Sequence, residues 1–345
     1  MKKDIKSLSL DEILTWIKAN ELPAYRAKQI YEWLHKYGVA DFSEMSSISK
    51  DLRNSLSNEF YISVCSVEDK FVSAVDGTVK YLFQLNDGEF VESVIMKYKY
   101  GYTICVSSQV GCKMGCRFCA STLAGFKRNL TAGEIESQIH TAQKDLDIRI
   151  SHIVLMGIGE PLDNFEQVIR FISNVNHENG LHISARNITL STCGIVPGIQ
   201  KLMDLDLQIT LTISLHAPND RIRSQIMPVN DKWHINEIVS MCKKYTAKTS
   251  RRVSFEYTLI KDVNDDERCA EELSALLKGM LCHVNLIPVN NVEERKNIRS
   301  SDQAIHKFLR ILQKNGINAT IRRTLGSDIN ASCGQLRRKK TEVAQ

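Results

Sequence analysis

The chain has 345 residues, of which 43% are hydrophobic and 25% are charged, proportions that are ordinary for a globular protein. Lys and Arg number 45 against 40 Asp and Glu, so the formal charge of +5 allows an anionic partner without requiring one. No segment of the sequence has the length and apolar character of a signal peptide or a membrane span. This excludes a membrane-embedded protein and predicts a cytoplasmic one, in which thiols stay reduced.

The first 60 residues predict a small helical accessory domain. Ile13 and Ile17 recur at helical spacing, as do Ile30 and Leu34, and Pro23 separates the two segments. Residues 61–102 have a different pattern, because YISVCSV, VKYLFQL and EFVESVIMKY are short, β-rich segments separated by Asp-Gly turn signals. They predict an antiparallel β extension.

From residue 103 to residue 345, apolar strand segments alternate with helical ones. The predicted strands are TICVSSQ, HIVLMGIG, NITLST, LQITLTISLH, RVSFEYTLI and HVNLIPVN, with NATIRRT as a further edge strand. Strands that alternate with helices pair in parallel through right-handed crossovers. Because too few such units are present for eight-fold closure, we predict an α/β protein whose main domain is a partial, open βα barrel.

Three of the ten cysteines form a closely spaced motif. GCKMGCRFCAS places Cys112, Cys116 and Cys119 in a C-x-x-x-C-x-x-C arrangement after the first barrel strand, at the face where chemistry gathers. Three thiolates can hold three irons of a 4Fe–4S cluster and leave the fourth iron open. A zinc site is the alternative, but it normally needs a fourth ligand, and the nearest downstream residue, His140, lies across a predicted helix. The other alternative is a chance grouping of buried cysteines, like the isolated Cys65.

An open iron can bind the amino and carboxylate groups of S-adenosylmethionine (SAM). One-electron reduction then cleaves SAM, so the cluster interpretation also implies a reducing electron-transfer protein as a partner, of unknown identity. Polar residues at the ends of the barrel strands would share the same mouth with the cluster, although each is equally explained as a loop polar group. These residues are Gly159, Glu160, Ser191, Ser214, His216 and Asn290.

Taken together, these motifs resemble the bacterial dual-specificity RNA adenine-C2 methyltransferases of the radical SAM superfamily. The resemblance extends over nearly the whole chain, through PAYRAKQIYEWL, CVSSQVGCKMGCRFCAS, MGIGEPL, ISLHAPN, NLIPVN and SCGQL. It implies a radical SAM barrel with a C-terminal catalytic segment. It also implies that the substrates are an adenosine in the peptidyl transferase centre of 23S ribosomal RNA and one beside the anticodon of some tRNAs.

The resemblance also assigns roles to individual residues. It implies that Cys112, Cys116 and Cys119 bind the cluster. It further implies that Cys333 is a methyl-carrying nucleophile, Cys105 its thiol partner, with which it forms a transient disulfide, and Glu92 a proton acceptor. The SAM contacts that it implies are Gly159, Glu160, Ser191, Ser214, Leu215, His216 and Asn290. Without the resemblance, Cys105 and Cys333 would be interpreted as core cysteines.

The sequence departs from the family pattern at three positions. Asn330 and Ser332 stand where Asp and Ala are expected, and Cys193 stands where Ser is frequent. Asn330 makes a carboxylate role at that position doubtful. Cys193 adds a thiol near the expected SAM site.

Three other functions remain open at this stage. One is methylation at C8 of the same ribosomal adenosine, which confers antibiotic resistance; Pro161 and Pro288 resemble the C2 group better. The second is an activase that installs a glycyl radical on a partner protein, which would leave Cys333 without a role. The third is a zinc-dependent RNA-binding module. Basic residues that are candidates for RNA phosphate contacts, with solvated surface charges as the alternative, are Lys127, Arg128, Arg251, Arg252, Arg322, Arg323 and residues 337–340.

Overall fold

A computed structural model describes residues 2–336 apart from residues 291, 293 and 296. Within these residues there are ten α-helices: α1 (Leu10–Ala19), α2 (Tyr25–His35), α3 (Lys50–Glu59), α4 (Ala132–Leu146), α5 (Phe165–Asn176), α6 (Val196–Asp204), α7 (Asp220–Ile226), α8 (Ile235–Thr249), α9 (Glu267–Leu277) and α10 (Asp302–Lys314). The strands are β1 (Lys3–Asp4), β2 (Phe60–Tyr61), β3 (Cys65–Val72), β4 (Val79–Leu85), β5 (Phe90–Tyr98), β6 (Gly101–Cys105), β7 (Gln109–Gly111), β8 (Phe126–Asn129), β9 (Ile150–Leu155), β10 (Ile188–Thr192), β11 (Thr210–Ser214), β12 (Val253–Leu259), β13 (Cys282–Pro288) and β14 (Ala319–Ile321).

One ten-stranded sheet forms the centre of the molecule. Its strand order is β14-β13-β12-β11-β10-β9-β6-β5-β4-β3, with parallel pairing from β6 to β14 and antiparallel pairing from β6 to β3. The described strands do not close on themselves, since β14 and β3 lie at opposite ends of the order. The predicted α/β fold with an open βα barrel is confirmed. The antiparallel strands are continuous with the barrel sheet rather than a separate layer.

The parallel strands are buried because helices cover the outer face of the sheet. All residues of β12 are buried, and apolar side chains such as Leu190, Leu211 and Val284 have no exposed surface. Burying each side chain of this size stabilises the fold by roughly 1.5–3 kcal/mol. Among the described residues, no helix combines the length and the apolar character needed to cross a bilayer.

The N-terminal helices have a hydrophobic cluster of their own. Ser9 begins α1 with a capping box, because its hydroxyl accepts from the backbone of Glu12 while the Glu12 carboxylate accepts from the backbone N–H of Ser9. Ile17 of α1 and Ile30 of α2 both belong to this cluster, whose residues lie between Ile5 and Ile62 in the sequence. The domain boundaries at residues 60 and 102 stay a prediction, with this cluster as support for the first of them.

A buried ionic group joins the N-terminal helices to the barrel. Glu136 of α4 accepts from His35 of α2 at 2.9 Å and interacts with His140 at 3.0 Å, and all three side chains are almost fully buried. Burial alone would raise the pKa of Glu136, but the two histidines outweigh burial and lower it to about 2. Glu136 is therefore ionised in the folded protein.

Replacing Glu136 tests this interface. Glu136→Gln should lower the free energy of unfolding at pH 7 by about 3 kcal/mol, because it removes the buried charged acceptor that His35 and His140 share. A carboxylate with a lowered pKa stabilises the fold above its unfolded pKa and loses that effect as the pH falls. The wild-type stability should therefore fall between pH 4.5 and about 2 more steeply than that of the variant.

Chemical denaturation of the cluster-free protein measures both effects. The matched control is Glu12→Gln, which breaks the half-exposed Glu12–Arg170 pair between the same two parts of the molecule and should cost less than about 1 kcal/mol. Equal losses in the two variants would contradict the role given to burial.

Candidate active site

The cysteine motif lies in a loop of a short β-hairpin beyond the first barrel strand. The predicted strand TICVSSQ is divided in the structure, since β6 ends at Cys105 and β7 begins at Gln109 and pairs with β8. Gly111 has a φ of +76°, and a Cβ atom there would lie 1.7 Å from the carbonyl oxygen of Gly125. Only glycine allows this close crossing, which directs the loop from Cys112 onward over the end of the sheet.

The three cysteines line one cavity together with the polar ends of the barrel strands. Cys112, Cys116 and Cys119 contribute to its wall, and the predicted strand-end residues that also line it are Gly159, Glu160, Ser191, Ser214, His216 and Asn290. The carboxyl ends of parallel strands meet at one edge of a sheet, so residues far apart in sequence converge here. The fold therefore brings together the two groups of residues that the sequence indicated separately.

All ten cysteines are free thiols in the described structure. Burial raises the pKa of Cys112 to about 12, and burial also raises the pKa of Cys116 and of Cys119. The thiols are therefore protonated, and binding of iron must displace their protons.

The spacing of possible metal ligands is also informative. Among the described residues, no three His, Cys, Asp or Glu side chains are arranged to hold a single metal ion. Thiolates of an iron–sulfur cluster need not converge on one point, because each binds a different iron. The donor set of three thiols in one cavity fits a cluster with one open iron.

Glu160 and His216 are positioned by hydrogen bonds to the backbone. The Glu160 carboxylate accepts from the N–H groups of Leu162 at 3.0 Å and Cys193 at 2.7 Å, and burial raises its pKa. His216 accepts at Nδ1 from the N–H of Thr258 at 2.9 Å, which places its proton on Nε2. Burial, followed by a nearby cation, lowers the pKa of His216 to about 3, so the ring is neutral and can donate to a ligand from Nε2.

Close packing requires the glycines that follow β9. A Cβ atom on Gly157 would lie 2.6 Å from the carbonyl oxygen of Val106, and one on Gly159 would lie 2.6 Å from the side chain of Gln109. Both positions allow the ends of β9 and β6 to approach each other. They also line the cavity, so they can serve packing and ligand approach together.

Leu215 differs from the other predicted SAM contacts. Its side chain has no exposed surface, lies in the main core and is not among the described residues that line the cavity. Its backbone N–H donates to the carbonyl oxygen of Glu256. Any contact with a ligand would have to come from the backbone of this residue.

A second cavity adjoins the first and contains both remote cysteines. Cys105 and Cys333 line it, and Cys333 lines the first cavity as well. Burial, followed by the neighbouring Cys333, raises the pKa of Cys105 to about 12. Cys333 thus lies where the cavity of the three-cysteine motif meets the cavity of Cys105.

Hydrogen bonds fasten the segment of Cys333 over the end of the sheet. Asn290 donates from Nδ2 to the carbonyl oxygen of Cys333 at 2.9 Å. The N–H of Ala120, which follows the cysteine motif directly, donates to the carbonyl oxygen of Gly334 at 2.7 Å. Ser121 donates to the carbonyl oxygen of Leu336 at 2.9 Å. These bonds hold Cys333 close to the three-cysteine loop.

Arg322 was assigned from the sequence only to a group of candidate phosphate contacts, but the structure places it inside the site. It lines both cavities, and its Nη1 lies 3.4 Å from a carboxylate oxygen of Glu256. The Cys333 thiol raises the pKa of Arg322. The only sequence signal for this position is that Arg322 lies within the last predicted strand, NATIRRT; Glu256, inside a buried strand, gives none.

Glu92 lies on β5 and is not among the described residues that line either cavity. Its carboxylate pairs with Lys80 at 3.3 Å, and both side chains are largely buried. Side chains alternate along a strand, so Glu92 shares a face with Val94, which lines the second cavity and pairs with Cys105 across the sheet. Glu92 is therefore near the Cys105 side of the site.

The three departures from the family pattern have structural partners. Asn330 has a left-handed backbone with φ of 52°, and its side-chain oxygen accepts from Gln335 at 3.3 Å. Ser332 donates to the carbonyl oxygen of Leu325 at 2.8 Å. Cys193 lines the first cavity, and burial raises its pKa.

The remaining basic candidates are dispersed over the surface. Lys127 pairs with Glu89, Arg128 pairs with Glu134, and Arg251 donates to the carbonyl oxygen of Ile209. Arg252 and Arg323 are exposed. Residues 337–340 lie outside the part of the chain that the structure describes.

The chain is similar to proteins of a known family. Residues 3–62 match the family model of the ribosomal RNA large subunit methyltransferase N-terminal domain, and residues 106–273 match that of the radical SAM superfamily. The chain is 52% identical to the probable dual-specificity RNA methyltransferase RlmN of Clostridium novyi, over 97% of this chain and 98% of that protein. It is 54% identical to the protein of the same name from Clostridium tetani, over 97% and 96%.

A solved structure is also similar. The crystal structure of a radical SAM methyltransferase from Sphaerobacter thermophilus superposes with a TM-score of 0.92 at 41% identity, over 98% of this chain and all of that chain.

The bond from Asn290 to Cys333 can be tested in the free protein. Asn290→Ala should raise the rate at which iodoacetamide alkylates Cys333 about fivefold, because one hydrogen bond of about 1 kcal/mol no longer holds the segment closed. Peptide mass spectrometry measures the rate. Ser191→Ala is the matched control, since Ser191 lines the same cavity without a bond to the segment. An unchanged rate in Asn290→Ala would show that the other bonds suffice.

Proposed function

The chain belongs to the RlmN-type dual-specificity RNA methyltransferases of the radical SAM superfamily, and we propose that it methylates C2 of adenine in two RNAs. The proposed substrates are an adenosine in the peptidyl transferase centre of 23S ribosomal RNA and an adenosine beside the anticodon of some tRNAs. The relatives named above are described as dual-specificity RNA methyltransferases, which supports two RNA substrates. The observation that carries the proposal is the position of Cys333 between the two cavities.

Radical SAM enzymes use a 4Fe–4S cluster and SAM. We infer that Cys112, Cys116 and Cys119 hold the cluster, because these thiols share one cavity and no fourth thiolate is required. Gly159, Glu160, Ser191, Ser214, His216 and Asn290 would surround SAM in the same cavity, with Leu215 contributing backbone only. When bound, the cofactors supply a methyl group and the radical that removes hydrogen from a methyl carbon.

Cys333 is the proposed carrier of the methyl group. An adenine C2 carbon is not nucleophilic, so direct polar transfer to it is unfavourable and a covalent carrier is needed. Cys333 lines both the cavity of the three cysteines and the second cavity. The Arg322 guanidinium lines both cavities beside it.

Glu92 and Cys105 are the proposed groups for release of the product. The Glu92 carboxylate, which pairs with Lys80, is the proposed acceptor of the proton from C2. Cys105 lines the same cavity as Cys333 and can attack its sulfur, which releases methylated RNA and leaves a disulfide. The pKa of Cys105, raised to about 12 by burial, means that its thiol must lose a proton at this step.

The proposed partners follow from this chemistry. The RNA must present an unstacked adenine, because C2 is covered in a stacked base. A reducing electron-transfer protein would supply the electron to the cluster. Cytoplasmic location stays a prediction, as does the use of exposed basic residues such as Arg323 to contact RNA.

The proposed reaction is tested by the modified nucleoside. Wild-type protein with cluster, SAM and reductant should convert adenosine in both RNAs to 2-methyladenosine, measured by nuclease digestion and mass spectrometry against standards. Cys116→Ser should lose SAM cleavage and methylation together, whereas Cys333→Ala should retain cluster and SAM binding and lose only methylation. The product 8-methyladenosine would identify the alternative C8 reaction, and methylation by Cys333→Ala would exclude a carrier at that position.

The role of Cys105 predicts a trapped intermediate. In Cys105→Ala the covalent bond between Cys333 and RNA should form and persist, because no thiol attacks the Cys333 sulfur. The adduct should appear as a nuclease-sensitive mobility shift that resists denaturant, and it should be absent when Cys333→Ala is added. Cys193→Ser serves as a control for a substitute thiol in the first cavity. Turnover without adduct in Cys105→Ala with Cys193→Ser would make Cys105 a structural cysteine.

A further inference from the structure

Arg223 is a cation in the interior of the protein, and it has no ionic partner among the residues that the structure describes. Its side chain has no exposed surface. In the part of the chain that the structure describes, its guanidinium forms no ion pair with a carboxylate and donates only to neutral oxygens. The acceptors are the carbonyl oxygens of Leu215, Trp233, Cys193 and Ser214 and the side-chain oxygen of Asn230.

A buried charge without a counter-charge is costly, since neutral carbonyl groups replace only part of its hydration. Burial accordingly lowers the pKa of Arg223. Asp220 is in the same helix, but its side chain is 43% exposed and interacts with His234. The fold therefore contains a cation that is costly to bury, and a negative charge bound nearby would offset this cost.

The guanidinium lies directly behind the wall of the first cavity. Two of its acceptors, Cys193 and Ser214, line that cavity. The helix of Arg223 is also fastened to the cysteine loop, because the N–H of Arg117 donates to the carbonyl oxygen of Ile226 at 2.9 Å. Cys116, which directly precedes Arg117, lines this cavity together with Cys193.

We propose that Arg223 is the buried counter-charge of the iron–sulfur cluster and raises its reduction potential. A cluster bound by three thiolates carries negative charge, and reduction adds one more. A fixed positive charge behind Cys116 stabilises the reduced state more than the oxidised one, and low polarity around it strengthens this effect. Arg223 is a positioning residue for the strand ends at the same time. The proposal depends on the cluster but not on the identity of the RNA or the methylated carbon.

An anaerobic redox titration followed by electron paramagnetic resonance tests the proposal on the cluster-loaded protein. In Arg223→Met, the ratio of reduced to oxidised cluster at the wild-type midpoint should fall about tenfold, which corresponds to about 59 mV for one electron. Arg223→Lys keeps the charge and should remain closer to wild type. Arg251→Met is the control. It removes a cation that lies before β12, at the end of the strand away from the cavity, where Arg251 bonds to Ile209, and it should leave the midpoint unchanged.

Asn230→Asp is a second variant that retains the guanidinium. Its oxygen lies 3.0 Å from Nη1 of Arg223, so a carboxylate there would neutralise the cation with little change in shape. Asn230→Asp should lower the midpoint potential, as Arg223→Met does. If Arg223→Met does not fold, Asn230→Asp alone decides whether the charge of Arg223 raises the potential. A purely structural role predicts reduced cluster content in Arg223→Met and Arg223→Lys alike with no shift in midpoint. Unshifted midpoints in Arg223→Met and Asn230→Asp would overturn the proposal.

Discussion

The attachment of the C-terminal segment across the carboxyl ends of the barrel strands is the interaction on which the site depends. Without the bonds from Ala120 to Gly334 and from Asn290 to Cys333, the three-cysteine loop, the strand ends and Cys333 would have no fixed relation to one another. The residues involved are about 40 to more than 200 positions apart in sequence. The closure of these long loops is stabilised by the packed barrel, whose strand ends present one continuous edge.

Burial determines the electrostatic character of this site. It keeps the thiols of Cys105 and Cys112 protonated and His216 neutral, and it makes each nearby charge act strongly. Two arginines contribute those charges in different ways. Arg322 pairs with Glu256 and faces Cys333, whereas Arg223 is held by neutral oxygens behind the cavity wall. Arg322 therefore lines both cavities, whereas Arg223 acts from behind the wall of the first one.

The contact between the N-terminal helices and the barrel also depends on a buried charge, but this charge is negative and its partners are side chains. Glu136 has its partners His35 and His140 within 3.0 Å, so its charge is compensated locally. This group of three side chains stabilises the contact in one orientation, and the loss of any one of them destabilises it. The N-terminal helices are thereby placed against α4 in a defined way, although their own hydrophobic cluster is separate from the barrel core.

The sequence by itself determined the order of the elements and the type of chemistry. Alternating apolar strands and amphipathic helices require parallel pairing, and three thiols at C-x-x-x-C-x-x-C spacing favour a cluster, because both depend on local pattern. Tertiary structure alone decided that Cys105 and Cys333 share a cavity, that the Leu215 side chain belongs to the core, that Arg322 lines the site and that Arg223 lies behind its wall. Periodicity reports which face of an element is buried, but not which distant segment covers it. The burial of Arg223 gives no local signal, because most of its acceptors are backbone oxygens, which every sequence has.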